Sequence, residues 1–201
     1  VKLTPSNPSA DTAINQNMTD AMNKFKDIED VQWAKEGITV FTLKGFINGK
    51  SEGVFAPNDY VKREEFVKIA VCALDLYNGG ARASFADVDE NAWYAKFLIM
   101  AINRGIVNGM DDNTFGIRKT ITRQDMCVML SRALSVKKIS LQNKYDKVQF
   151  SDPISDYAKE AVIKLQRYGL VNGIGDNLFD AYGTVTRAMA AKVLYELDKV
   201  M

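Results

Sequence analysis

Three arginines recur in one local setting: Arg63 in Val61-Lys62-Arg63-Glu64-Glu65, Arg123 in Ile121-Thr122-Arg123-Gln124-Asp125, and Arg187 in Val185-Thr186-Arg187-Ala188-Met189. Each stands just inside the start of a helix-patterned run. A cation there is unfavourable by up to ~1 kcal/mol, because that end of a helix is already positive. Helix stability therefore does not explain the choice. An anion does: free backbone N–H groups, the helix dipole and a planar guanidinium would together form a carboxylate or phosphate site. An internal ion pair with Asp27, Asp87 or Asp152 explains it equally well, and the two readings are compatible. On the ligand reading, loss of an arginine weakens binding and leaves the fold little changed.

Other residues recur in step with the arginines. Trp33, Trp93 and Tyr157 each lie just ahead of a helix. An aromatic there is either a staple into the core, the preferred reading, or a platform for the C–H face of a sugar. Phe25-Lys26-Asp27, Phe85-Ala86-Asp87 and Phe150-Ser151-Asp152 repeat as Phe-x-Asp. Their phenylalanines, with Phe55, Phe115 and Phe179, read as core. Asp27, Asp87 and Asp152 read as loop caps first and acceptors of sugar hydroxyls second. Asn48, Asn108 and Asn172 read as turn formers.

Several chemistries are excluded. The chain has no histidine, which removes Ser-His-Asp, Cys-His and His-ligated zinc sites together. Two cysteines, Cys72 and Cys127, cannot hold zinc alone and read as small buried groups rather than a disulfide. Asp111-Asp112-Asn113 and Asp176-Asn177 are acidic loops, but twelve-residue counting from Asp111 ends at Thr122, not Glu, so a calcium loop fails. No acidic pair recurs in matching positions, which leaves a glycosidase without its two carboxylates. No cofactor or metal site is expected. Lys and Arg number 26 against 25 Asp and Glu, too even for a nucleic-acid arm or a polybasic membrane patch. No apolar run approaches the ~20 residues of a membrane span. Val1-Lys2-Leu3-Thr4-Pro5 has no apolar stretch of a secretory leader behind it, so the chain reads as a mature piece or a cut-out domain. So few cysteines suit a reducing compartment or a bacterial surface protein large enough to need no staples.

The elements that must position these residues also repeat. Gly45-Phe46-Ile47-Asn48-Gly49, Gly105-Ile106-Val107-Asn108-Gly109 and Gly169-Leu170-Val171-Asn172-Gly173 recur at intervals of 60 and 64 residues. Ahead of each runs a helical stripe, such as Tyr94, Phe97, Leu98, Ala101 or Ala158, Ala161, Val162, Leu165. The first Gly reads as a helix terminator, and Asn-Gly as a tight turn. A polar loop follows. A second helix then opens at Thr122 or Thr186, natural N-caps, with a stripe such as Met126, Met129, Leu130, Ala133. Only the second unit holds both halves of a capping box, Thr122 with Asp125. The expected fold is all-α, three helix-loop-helix units whose second helices pack in a central bundle, because one helix pair cannot bury both stripes alone. The units run 20–79, 80–144 and 145–201, after a polar linker at 1–19; Asn78-Gly79-Gly80 and Lys137 to Lys147 join them.

Over residues 20–201 these motifs resemble the S-layer homology repeats that anchor bacterial surface proteins to the cell wall. The second unit matches best, with Phe85, Asp87, Trp93, Gly105, Gly109, Asp112, Phe115 and Thr122-Arg123-Gln124-Asp125. The resemblance implies a pseudo-threefold spindle around a three-helix core, a monomeric pseudo-trimer, with no catalysis. It implies grooves that bind secondary cell-wall polysaccharide, often through a pyruvate ketal on N-acetylmannosamine. The binding residues it implies are Arg63, Arg123, Arg187, Asp27, Asp87, Asp152, Trp33, Trp93, Tyr157, Gly49, Gly109 and Gly173. It implies a secreted protein at the bacterial surface, with cargo or an S-layer protein fused N-terminally. A module for protein–protein assembly of a surface lattice is the alternative.

Overall fold

The apolar stripes become six α-helices in a computed structural model that describes residues 19–21, 23–76, 85–146 and 150–200. The proposed leader-free start, most of the linker, Asn78-Gly79-Gly80 and Lys147 lie outside the described residues. A 3-10 turn, Glu29–Val31, leads into α1 (Gln32–Leu43); α2 (Arg63–Ala73), α3 (Ala95–Asn103), α4 (Arg123–Val136), α5 (Asp156–Arg167) and α6 (Arg187–Asp198) follow. The fold is all-α. Among the described residues, extended backbone pairs only as isolated bridges. No described helix is long and apolar enough to cross a membrane.

Local chemistry sets the helix ends. Gly45, Gly105 and Gly169 close the first helices with φ of 69°, 67° and 73°, a conformation that only glycine adopts cheaply. Thr122 and Thr186 cap α4 and α6 by accepting from the Asp125 and Met189 N–H groups. The capping box falls elsewhere than expected. Asp125 does not turn back to its own helix start. The back-bond forms in the first unit, where Lys62 N–H donates to Glu65 Oε2 at 2.9 Å, although Lys62 offers no capping oxygen.

Helices pair mainly across units. α1 packs on α6, α3 on α2, and α5 on α4. Each first helix thus covers the second helix of the preceding unit, and the series closes because the first unit covers the last. Of the second helices, α2 packs directly against α6. The α1–α6 crossing is close: a Cβ at Gly37 would lie 2.8 Å from the Ala191 carbonyl oxygen. Ala158, Ala161, Val162 and Leu165, the predicted stripe of α5, are all buried; each larger aliphatic side chain contributes about 1.5–3 kcal/mol of transfer free energy. Cys127 is buried and Cys72 half-buried, and both are free thiols.

The segments just before the second helices meet at the centre. Val61 N–H donates to Val185 O, Val185 N–H to Ile121 O, and Ile121 N–H to Val61 O, at 2.9, 3.0 and 3.0 Å. All three residues are buried. A second set runs round the same centre: Arg63 N–H to Lys119 O, Arg123 N–H to Gly183 O, and Arg187 N–H to Asp59 O, at 2.9, 2.8 and 2.9 Å. Every unit donates to, and accepts from, another.

Deleting 145–201 removes Val185 from this ring and α6 from the face of α1. The shortened chain is expected to lose its cooperative thermal transition, followed by far-ultraviolet circular dichroism. A sharp transition with full helicity in residues 1–144 would contradict the closed packing.

Candidate functional site

The three arginines do not hold an anion at their own helix starts. Those N–H groups are consumed by neighbouring loops: the first ones by the second ring, and those of Gln124 and Ala188 by Ala181 O and Pro57 O, both at 3.0 Å. Each guanidinium reaches instead into the next unit. Arg63 Nε donates to Phe115 O at 3.1 Å, and its Nη2 to Asn108 O at 3.4 Å. Arg123 Nε donates to Phe179 O at 2.9 Å, and its Nη2 to Asn172 O at 2.8 Å. Arg187 repeats the pattern on Phe55 O and Asn48 O. The guanidinium carbons lie 4.9, 4.7 and 4.5 Å from the ring centroids of Phe115, Phe179 and Phe55. The arginines are only 5%, 8% and 6% exposed. Burial pulls the Arg123 and Arg187 pKa values below the ordinary arginine range, but arginine stays charged throughout the physiological range.

This placement corrects two expectations. The cation is spent on one buried and one part-buried carbonyl of the next unit, so an arginine is a structural group as well as a charge, and its loss is expected to cost the fold. The partner is also not a Phe-x-Asp aspartate. Asp27 accepts from the Phe55 and Ala56 N–H groups, Asp87 from Phe115, Gly116 and Ile117, and Asp152 from Phe179 and Asp180, all between 2.7 and 2.8 Å. These are loop caps. Burial works against the ionised forms of Asp87 and Asp152, but the backbone bonds outweigh it and hold both below the ordinary 3.8.

Asn-Gly is not the expected tight turn: neither residue takes a positive φ or a turn assignment in any unit. The asparagine carbonyl instead receives the arginine. Glycine is required there by close approach: a Cβ at Gly49, Gly109 or Gly173 would fall within 3 Å of a loop carbonyl from Val54, Thr114 or Leu178. Phe25, Phe85 and Phe150 crowd the same spot and pair with Phe55, Phe115 and Phe179 at 5.3, 6.1 and 5.1 Å.

The aromatics expected just ahead of the first helices are not staples: Trp33 and Tyr157 fall in the first turns of α1 and α5, and Trp93 two residues before α3. Trp33, Trp93 and Tyr157 are 51%, 57% and 61% exposed. Two of them wall grooves of the same plan. One groove, about 370 Å³, joins Arg63, Asn108 and Gly109 with Asp125, Met129 and Tyr157. The other, about 320 Å³, joins Arg187, Asn48 and Gly49 with Glu65, Lys68 and Trp93. Each takes its arginine, its glycine strand and its aromatic from three different units. The repeat assigns Arg123, Gly173 and Trp33 to the third, since Arg123 reaches Asn172 and α1, which opens with Gln32 and Trp33, packs on α6. Arg123, Gly109 and Trp93 of the second unit, grouped together by sequence, are therefore split among three grooves. Asp27, Asp87 and Asp152 lie behind the loops; of them Asp87 also borders a separate cavity of about 620 Å³ on the other side of Trp93, with Glu64, Asp89 and Arg118.

Sequence reasoning missed Asp125 as a site residue. It accepts from Arg63 Nη1 and from the Tyr157 hydroxyl, both at 2.8 Å. Burial, then this bond, pushes the Tyr157 hydroxyl up to about 12. It also missed Lys50 and Lys68 on the rim of the Arg187 groove. The signal for Asp125 is in the sequence: Glu65, Asp125 and Met189 differ at one repeat position, where a capping role masks it.

Chemically, each groove combines a fixed guanidinium, the backbone beside a glycine and an exposed aromatic face, although in the Arg63 groove Asp125 already holds the guanidinium. That set suits a carboxylate-bearing sugar.

An S-layer homology domain model matches residues 24–67, 84–127 and 150–191. An amylopullulanase of Thermoanaerobacterium thermosulfurigenes is 32% identical over 86% of this chain and 9% of its own. A surface-layer 125 kDa protein of Lysinibacillus sphaericus is 31% identical over 69% of this chain and 12% of its own. An S-layer protein of Bacillus licheniformis is 27% identical over 89% of this chain and 20% of its own. The chain thus spans a small part of each relative's length.

Replacing Arg123 by Ala removes two charge-assisted bonds, each worth about 1.5–3 kcal/mol, and strands the buried Phe179 carbonyl, while the Asn172 carbonyl, on an exposed residue, can turn to water. Allowing for relaxation, a loss of about 2–4 kcal/mol is expected, or roughly 5–15 °C in Tm for a chain of this size. Arg123→Lys should fall between, because an ammonium cannot span both carbonyls. Calorimetric melting checks this, and an unchanged Tm for Arg123→Ala would contradict the buried role.

Proposed function

The chain belongs to the S-layer homology domain family, and from that premise we propose that it grips an anionic wall polysaccharide, one bearing a pyruvate ketal, in the grooves between its units. It is a non-catalytic module of a secreted, cell-wall-associated surface protein, and it serves to anchor that protein. One observation carries the finer reading. The grooves place a buried, rigid guanidinium beside an exposed aromatic ring, with each taken from a different unit.

The physical division of labour is simple. The arginine fork pairs with a carboxylate in two parallel bonds. The ring covers an apolar C–H face of the sugar. The glycine strand lets the sugar approach the backbone. The cargo is read as fused to the module, because the relatives carry the matching segment as a small share of their length.

Purified sacculi test this, used before and after the polysaccharide is stripped. Retention is expected only on unstripped sacculi. Trp33→Ala and Trp93→Ala should each weaken retention about tenfold, equivalent to ~1.4 kcal/mol. Neither should alter the melting temperature, since both rings are exposed. Equal retention on stripped sacculi would overturn the glycan reading and favour contact with a protein partner.

A further inference from the structure

The three grooves share one plan but differ at a single repeat position, two residues after the arginine. It holds Asp125 in the groove of Arg63 and Glu65 in that of Arg187, and by the repeat it places Met189 with Arg123. We infer that Asp125 latches the Arg63 groove against anions, so that this chain takes carboxylate-bearing sugars in only two grooves, those of Arg123 and Arg187. The inference rests on the carboxylate reading of the grooves.

In the Arg63 groove the site is already filled by the chain itself. Asp125 Oδ2 accepts from Arg63 Nη1 at 2.8 Å, and its Oδ1 accepts from the Tyr157 hydroxyl at 2.8 Å. Arg63 is the one groove arginine with a carboxylate partner among the described ion pairs. Tyr157 is held further: Gln124 Nε2 donates to its hydroxyl at 3.1 Å, while Gln124 Oε1 accepts from Ser155 N–H. A ligand carboxylate entering here must displace Asp125 from the guanidinium and then sit beside it. Two carboxylates competing for one fork repel one another.

The Arg187 groove is built differently. Glu65 turns back to the Lys62 N–H at 2.9 Å and toward Lys50 at 3.9 Å. Lys50 and Lys68 line the groove with Arg187, so cations outnumber the single acid there. Trp93 stands in place of Tyr157 and has no hydroxyl with which to bridge. In the third groove Met189 supplies no charge, and Lys192, which matches Lys68, is tied to Glu196 at 2.7 Å. The Nη1 of Arg123 makes no hydrogen bond among the described residues, which leaves one edge of the fork for a ligand.

The two tryptophans of the chain belong to the two open grooves, and a tyrosine to the latched one. Nuclear magnetic resonance can therefore read each groove separately. The probe is N-acetylmannosamine carrying a pyruvate ketal. In the wild type the indole N–H signals of both Trp33 and Trp93 should shift, Tyr157 should stay fixed, and calorimetry should count two sites. Asp125→Asn should free Arg63, shift Tyr157 and raise the count to three. Met189→Asp should install the latch in the third groove and silence Trp33, while Trp93 still responds; this variant tests the idea even if Asp125→Asn does not fold. A wild-type count of three with Tyr157 shifting would overturn the latch alone. A folded Met189→Asp with Trp33 unaffected would do the same. Both indoles silent in the wild type would overturn the carboxylate reading, and the latch with it.

Discussion

Three buried backbone hydrogen bonds, passed from Val61 to Val185, from Val185 to Ile121 and from Ile121 to Val61, close the chain on itself. Each amide is sealed from water, and an unmade bond at such a site costs about 1–3 kcal/mol. None can be made within its own unit. The three units must therefore assemble together or leave several buried polar groups unpaired. The first helices are covered in the same cyclic order, each lying on the second helix of the unit before, and the first on the last. Assembly of this kind inside one chain gives the economy of a trimer without dependence on concentration.

The grooves follow from that closure. Two residues beyond each ring residue stands an arginine, Arg63, Arg123 or Arg187. The ring fixes the direction of each helix start, and so delivers the guanidinium to the neighbouring loop. The guanidinium lies over a phenylalanine that is itself locked by a second phenylalanine, and it holds the asparagine carbonyl of the glycine strand. The phenylalanines pack inward, and the aromatics at the starts of the first helices, Trp33, Trp93 and Tyr157, are left exposed. On the proposed function, stability and binding are coupled through the arginines, whereas Trp33 and Trp93 serve binding alone.

Much of the fold was legible. Periodicity located the helices, Gly45, Gly105 and Gly169 their ends, and Thr122 and Thr186 their starts. The arginines, glycines and aromatics that line the grooves recur in all three units and so stand out from any single motif. The grouping was not legible. A tandem repeat offers the same set of residues whether a groove is built within a unit or across three, and only the hydrogen bonds of Arg63 to Asn108 and of Arg123 to Asn172 decide it. The preference for Trp93 as a staple failed because the ring stays more than half exposed, and sequence spacing gives no account of which face of a helix start is covered. Asp125 was hidden by a plausible local role. Its position suits a capping box, yet a charged partner from another unit offered the stronger bond.

The account stands or falls on the ring acting as one cooperative unit. Native-state hydrogen exchange on the Val61, Ile121 and Val185 amides measures this directly. If the ring closes the fold, all three exchange only by global opening, with one common opening free energy equal to that from denaturant unfolding, and all three fall together when any one unit is destabilised. Exchange of one amide through a cheaper local opening, with the other two unaffected, would show that the units stand independently and would contradict the closed ring.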